Sequence, residues 1–275
     1  MTETQTSAFT RSPHFGRDAT AATYRDIHLP RVFTPWARVL LEIAPPRAGE
    51  AVLDVATGPG TVAREAAKLV GISGNVVGID ISAAMLNVGR GWPAMSEAAS
   101  IEYLEAPATQ MPVPDAAFDV AYCQQGLQHM ADPYLALQEI RRALKPGGRL
   151  GVALWQQSPF GLFRQAVAEL GLPDSGPQPS DFGRNADDLA RALREAGFED
   201  VHIQTRELDS VLEGGAEQAI EVATATSAAA RMQDMSAEQR AAVRQVLLRA
   251  IEPLKQADGV HLISRANIAT ARKPS

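Results

Sequence analysis

A single cysteine, Cys123, stands in 275 residues, which excludes an internal disulfide and any cysteine-cluster metal site. It fits a reducing compartment. No stretch approaches the ~20 consecutive apolar residues that cross a bilayer. The opening MTETQTSAFTRSPHF carries no apolar core of the signal-peptide kind. The expectation is a cytoplasmic chain with no membrane span. A basic excess is also missing: the formal net charge is −6, which weighs against a nucleic-acid partner. No HxxxH-type pair or carboxylate cluster offers a ligand set, so no metal is expected. Internal repeats and low-complexity runs are absent as well.

What remains is ordinary for a globular protein, with 45% hydrophobic and 21% charged residues. The length can bury a full core, as one large domain or a domain with a subdomain. The most informative stretch is Glu50 to Ala63, EAVLDVATGPGTVA. Val52 to Val55 is a short apolar run interrupted by Asp54. Gly58 and Gly60 follow, and then a helical pattern, TVAREAAKLV. That is a buried strand, a tight turn and a helix. Glycines at this spacing let a ligand approach the backbone closely, and the free N–H groups of the next helix face the same ligand.

Around this stretch the chain alternates. Residues 19–43 read as one or two helices, with Thr34 as an N-cap before Pro35. Strands are predicted at 75–81, 101–105, 118–123 and 149–155. Ser82 and Asp132 are the expected caps of intervening helices, and LKPGG is the expected turn before the fifth strand. Near-continuous apolar strands separated by helices call for a parallel sheet covered on both faces, with the ligand at the strand C-terminal ends. Beyond Gln156 the expected elements are a helix at 159–172, one capped by Asn185 and stopped by Gly197, and a sixth strand at 201–208. An alanine-rich helical block at 214–255 holds a Ser236–Gln239 capping box, and a closing seventh strand runs over 259–271. The fold class is therefore α/β, Rossmann-like, with a seven-stranded mostly parallel sheet and helical cap insertions. The expected divisions are a helical lead-in at 1–48, an α/β core at 49–209 with an insertion around 156–180, a helical cap at 210–257 and the closing strand at 258–275.

Gly58, Gly60 and Ala63 satisfy G-x-G-x-x-A, which is also the dinucleotide fingerprint, and Asp80 lies where an acid could hold a ribose hydroxyl. An NAD(P)-binding oxidoreductase is thus one reading. Asp54, inside the strand, favours another. A carboxylate there can hold the loop and a cationic amino group, and a dinucleotide has no need of it. No Tyr-x-x-x-Lys pair accompanies the fingerprint.

In order, the motifs VLDVATGPGTVA, VVGIDISAAML, MPVPDAAFDVAYCQQGLQHMADP, LKPGGRL and AGFEDV resemble the class I S-adenosylmethionine (SAM)-dependent methyltransferases. The likeness is to their ubiquinone/menaquinone-type small-molecule branch and covers most of residues 50–202. It implies methyl transfer from SAM to a small acceptor that is quinone-like, phenolic, lipid-like or a secondary metabolite. It places Asp54, Ala56, Thr57, Gly58 and Gly60 in the loop facing the donor's methionine part, with Ala56 where a glycine is more usual. Asp80 matches the acid that bridges the ribose hydroxyls, and Ile81 and Met85 match the apolar flank of adenine. The family's acid at the adenine edge is replaced by Ala106-Pro107-Ala108, which leaves that role to the Ala108 backbone N–H and Thr109. Gln124 falls where a backbone carbonyl meets the methionine amine. His129 is the candidate general base, against a bland role in packing the following helix. Tyr24, Trp36, Gln125 and Gln128 could touch the acceptor, against core packing or solvation. A SAM-binding protein without catalysis is a further alternative, and a homodimer is left open.

Overall fold

The computed structural model describes residues 24–173, 180–225 and 227–275. A helix with π-type winding, α1 (Tyr24–Phe33), runs directly into α2 (Thr34–Ile43). Thr34 therefore makes no cap: the preceding turn already occupies that place, and Phe33 lies at the N-cap in helical conformation. Then come β1 (Ala51–Val55), α3 (Thr61–Val70), β2 (Asn75–Asp80), α4 (Ala83–Arg90), β3 (Ser100–Glu105) and β4 (Phe118–Gln124). Next are α5 (Pro133–Ala143), β5 (Leu144–Gln157), α6 (Gly161–Glu169), α7 (Ala186–Glu195) and β6 (Glu199–Leu212). Three helices, α8 (Gly215–Thr224), α9 (Ser227–Asp234) and α10 (Ala237–Ile251), lead to β7 (Lys255–Gln256) and β8 (Gly259–Arg272).

The caps behave as their sequences ask. Ser82 accepts from the Met85 N–H, Asp132 from Leu135, and Asn185 from Asp187 and Asp188. Ser236 and Gln239 close a reciprocal capping box at the head of α10.

The sheet runs β3-β2-β1-β4-β5-β8-β6, with β7 paired to β8. β1 to β5 are parallel, whereas β8 is antiparallel to both β5 and β6. It has eight strands rather than the expected seven. The extra one is two residues long, the short arm of a hairpin onto Gly259 and Val260, and two residues carry no alternation to read. LKPGG also departs from expectation. Instead of a turn before the strand it is absorbed into β5 as a bulge, with Gly147 at φ +71 and its N–H on the Lys273 carbonyl.

One apolar cluster joins α1, α2, α3, α6, α8 and α10 to one face of the sheet, and a second joins α5 and α7 to the other. The chain leaves β1 outward to β2 and β3, then returns to the opposite side of β1 as β4. The order reverses between β1 and β4, and a doubly wound sheet opens its ligand crevice above that reversal.

Candidate active site

Asp54 is 1% exposed near the end of β1, and one of its oxygens, Oδ2, collects two donors from the loop that follows. The Thr57 hydroxyl donates at 2.5 Å and the Ala63 N–H at 2.9 Å. Burial raises its pKa to about 7, against the lowering effect of these two bonds. Asp54 thus fastens the loop to the head of α3. Thr57 is spent on the same task, with its own N–H on the Ile79 carbonyl and its methyl against Gly78.

The two glycines face opposite ways. Gly58 has φ +56, and a Cβ placed there would meet nothing within 4 Å. Gly60 has φ +86, and a Cβ there would lie 2.9 Å from Tyr103 Cζ and closer still to its hydroxyl. Gly58 is open to a ligand, whereas Gly60 is a packing glycine with Tyr103 wedged behind it. Tyr103 also lies against Gly89 of α4, its hydroxyl has no hydrogen-bond partner, and burial raises its pKa to about 12. Sequence reasoning missed Tyr103, although glycines at both 60 and 89 leave room for a large neighbour.

Across the loop, Asp80 at the end of β2 accepts from the Gly58 N–H at 2.8 Å and from the Ser82 N–H at 2.9 Å. Burial raises its pKa, opposed by these backbone donors. Ile81 beside it is 44% exposed, an apolar side chain at the open edge of the sheet, while Met85 is buried beneath. Ala106 donates its N–H to the Asp80 carbonyl, which sets the part-buried Ala108 and Thr109 next to the same edge.

On the other side of the reversal, Gln124 ends β4. Its Nε2 donates to the Phe33 carbonyl at 3.0 Å and ties α1 to the sheet, while its Oε1 is buried without a partner. Gln125 follows at φ +56 and is 6% exposed. Gln128 is committed elsewhere: its Oε1 accepts from the Trp155 N–H at 3.1 Å, and its carbonyl accepts from Ser180. His129 is exposed to solvent, while the chain around it desolvates its ring. That desolvation, with the Arg164 charge, lowers its pKa to about 4. Trp36 is fully buried, with its indole N–H on Ser264 Oγ at 3.0 Å, which is a core position. The Tyr24 side chain lies outside the described residues. An aromatic group that sequence reasoning did not assemble fills this half: Phe33 stacks on Phe160 at 5.9 Å, with His28 4.6 Å from Phe160 and Trp155 edge-on to Trp36. Its two halves, residues 28–36 and 155–160, lie more than a hundred residues apart, and no local pattern links them.

The open Gly58 backbone, the Asp80 carboxylate and the exposed Ile81 fit a ligand with a hydroxylated ribose and an apolar ring. Among the described residues no group of three or more His, Cys, Asp or Glu could hold a metal ion.

A family described as a methyltransferase domain matches residues 53–152. The ubiquinone/menaquinone biosynthesis C-methyltransferase of Cronobacter sakazakii is 32% identical over 184 residues, 61% of this chain and 73% of that protein. Its counterpart in Hahella chejuensis is 35% identical over 170 residues, 54% and 66% of the two chains. Other such relatives are matched over 45–52% of their length, so the chain spans about half of many of the curated proteins it resembles. A putative methyltransferase from Bacillus halodurans superposes with a TM-score of 0.54 at 23% identity, covering 87% of this chain and 99% of that one. That likeness supports the fold. The chain belongs to the class I S-adenosylmethionine-dependent methyltransferases, of the ubiquinone/menaquinone type.

Proposed function

We propose that the chain transfers a methyl group from SAM to a ring carbon of a small hydroxylated aromatic acceptor of the quinol type. The relatives' C-methyltransferase name supports the reaction. The observation that carries the reading is the open face of Gly58, bounded by Asp80 and Ile81 at the sheet reversal. Gly58 would let the methionine part lie on the backbone, Asp80 would take the ribose hydroxyls, and Ile81 would cover the adenine. SAM supplies an electrophilic methyl and leaves as a neutral thioether.

Carbon methylation needs the acceptor hydroxyl to lose its proton as the methyl–sulfur bond breaks and the new carbon–carbon bond forms. The ring carbon then loses its own proton and the oxygen regains one, so one proton is released overall. The protein's contribution is to hold that carbon in line and dry, an effect worth up to ~7–11 kcal/mol. The aromatic group of Phe33, Trp155 and Phe160, under α6 and α8, is the proposed acceptor wall, and the 210–257 helices its lid. His129, neutral above about pH 4, would accept the hydroxyl proton, weakly because its pKa is so low. His129→Ala should lower turnover at least about tenfold with SAM affinity nearly unchanged. The wild-type rate should hold level from pH 8 down to about 5. A mass-spectrometric screen of hydroquinones and naphthols with SAM tests the function: a carbon-bound methyl on the product is expected. Binding of SAM with no transfer to any hydroxylated aromatic would overturn it.

A further inference from the structure

Two residues that are not glycine hold the left-handed conformation at the sheet reversal, one on each side. Ala56 stands at φ +57 just after β1, and Gln125 at φ +56 just after β4. Only residues held by their surroundings stay there, and such positions gather at ligand sites. The loops touch: a Cβ on Gly126 would lie 2.6 Å from the Ala56 Cβ and 2.8 Å from Cys123 Sγ. Gln125 is therefore pinned by its neighbours. Its N–H donates to the Ala153 carbonyl at 2.7 Å, which fixes its backbone against β5.

The side chain is 6% exposed, yet neither Oε1 nor Nε2 has a hydrogen-bond partner. Buried amides are nearly always paired, so one left with both ends open, on a strained backbone at the ligand crevice, requires an explanation. Packing supplies none, since a leucine would fill the space without the desolvation penalty. Its neighbours show what lies beside it. Gln124 donates its amide to the Phe33 carbonyl, and the Gln125 N–H is held by Ala153, two residues before Trp155 on β5, so Gln125 stands at the strand ends beside the elements that carry the proposed acceptor wall.

We infer that Gln125 determines acceptor specificity by hydrogen-bonding a neutral ring hydroxyl, its Oε1 accepting from the O–H and its Nε2 donating to the same or a neighbouring oxygen. An amide offers one acceptor and two donors and carries no charge, which suits a phenol or enol better than a carboxylate or an ammonium group. This rests on reading the acceptor as a small aromatic. Gln125 positions the acceptor and takes no proton.

The test uses the full chain saturated with S-adenosylhomocysteine (SAH) and titrated with 1-naphthol and with 1-methoxynaphthalene, which lacks the donor hydrogen. Wild-type protein should bind the naphthol at least about tenfold more tightly, because a site built for a hydroxyl rejects the analogue that leaves it unpaired. Gln125→Leu should reduce that preference to less than about threefold, with SAH affinity unchanged and Tm no lower. Gln125→Asn, which keeps the amide and tolerates the backbone, should retain part of the preference. An equal preference in wild type and Gln125→Leu overturns the inference and leaves the methyltransferase reading standing. Failure of wild-type protein to bind either naphthalene while it binds SAH overturns the aromatic acceptor, and this inference with it.

Discussion

The loops after β1 and β2 and the half around α1, α6 and α8 meet at one crevice, yet they are built on opposite rules. On the first side almost every polar group is occupied by the protein itself: Asp54 by Thr57 and Ala63, Asp80 by Gly58 and Ser82. The second side is aromatic and carries unpaired amide atoms at Gln124 and Gln125. A donor site that must accept one fixed molecule can be preassembled from backbone and carboxylates. A pocket for a variable acceptor is lined by apolar side chains, with a few polar groups waiting for the ligand.

The sharpest comparison separates the two glycines of the loop. Gly60→Ala forces a Cβ into Tyr103 at φ +86, and strain plus overpacking should cost about 3 kcal/mol of stability, read in urea. Gly58→Ala carries the φ strain alone, about 1 kcal/mol, and should instead weaken SAH binding. Equal destabilisation by both would break the distinction between packing glycine and ligand glycine.

Of similar size are two buried groups that titrate with opposite sign. Asp54, raised from 3.8 to about 7, binds more protons folded than unfolded, so its contribution is complete below pH 4 and is lost as pH rises through 7, by up to about 4 kcal/mol. His28, 1% exposed with Nε2 on the Val222 carbonyl, is lowered by burial from 6.5 to about 4. It stays neutral when folded, so stability falls as pH drops from 6.5 toward 4, by about 3 kcal/mol. Over pH 4–6.5 the two slopes oppose and nearly cancel in wild-type thermal melts, so single variants expose them: Asp54→Asn should leave stability rising by about 3 kcal/mol from pH 4 to 6.5, and His28→Gln should leave it falling by about 4 kcal/mol from pH 4 to 7. A pH profile of His28→Gln no different from wild type would remove His28 from the account.

The smallest effect is at Tyr103. Its hydroxyl is buried and unpartnered, so Tyr103→Phe should change stability by less than about 1 kcal/mol, and in the stabilising direction. A loss of 2 kcal/mol or more, on the order of a buried hydrogen bond broken, would show a partner.

The donor side was largely legible from sequence because its signals are local. Ser82, Asp132, Asn185 and Ser236 lie within three residues of the N–H groups they cap, and the Asp54-to-Gly60 loop is one continuous segment. Asp80 lies 22 residues from Gly58, and only the parallel pairing of β1 with β2 brings them together. The acceptor side was legible in part. Gln125 was singled out, but its left-handed backbone and open amide depend on Gly126 packing against Ala56, a contact between distant loops. Gln128 looked equivalent in sequence, and tertiary structure assigns it to Trp155. Trp36 reads as a ligand candidate until Ser264, 228 residues away, takes its N–H.

The most direct measurement is a calorimetric titration of wild-type protein and Asp80→Ala with SAH and with NADH. The account expects SAH to bind wild type, to bind Asp80→Ala about 100-fold more weakly because two charge-assisted hydrogen bonds are lost, and NADH to bind neither. SAH affinity unchanged by Asp80→Ala, or binding of NADH in place of SAH, would contradict it.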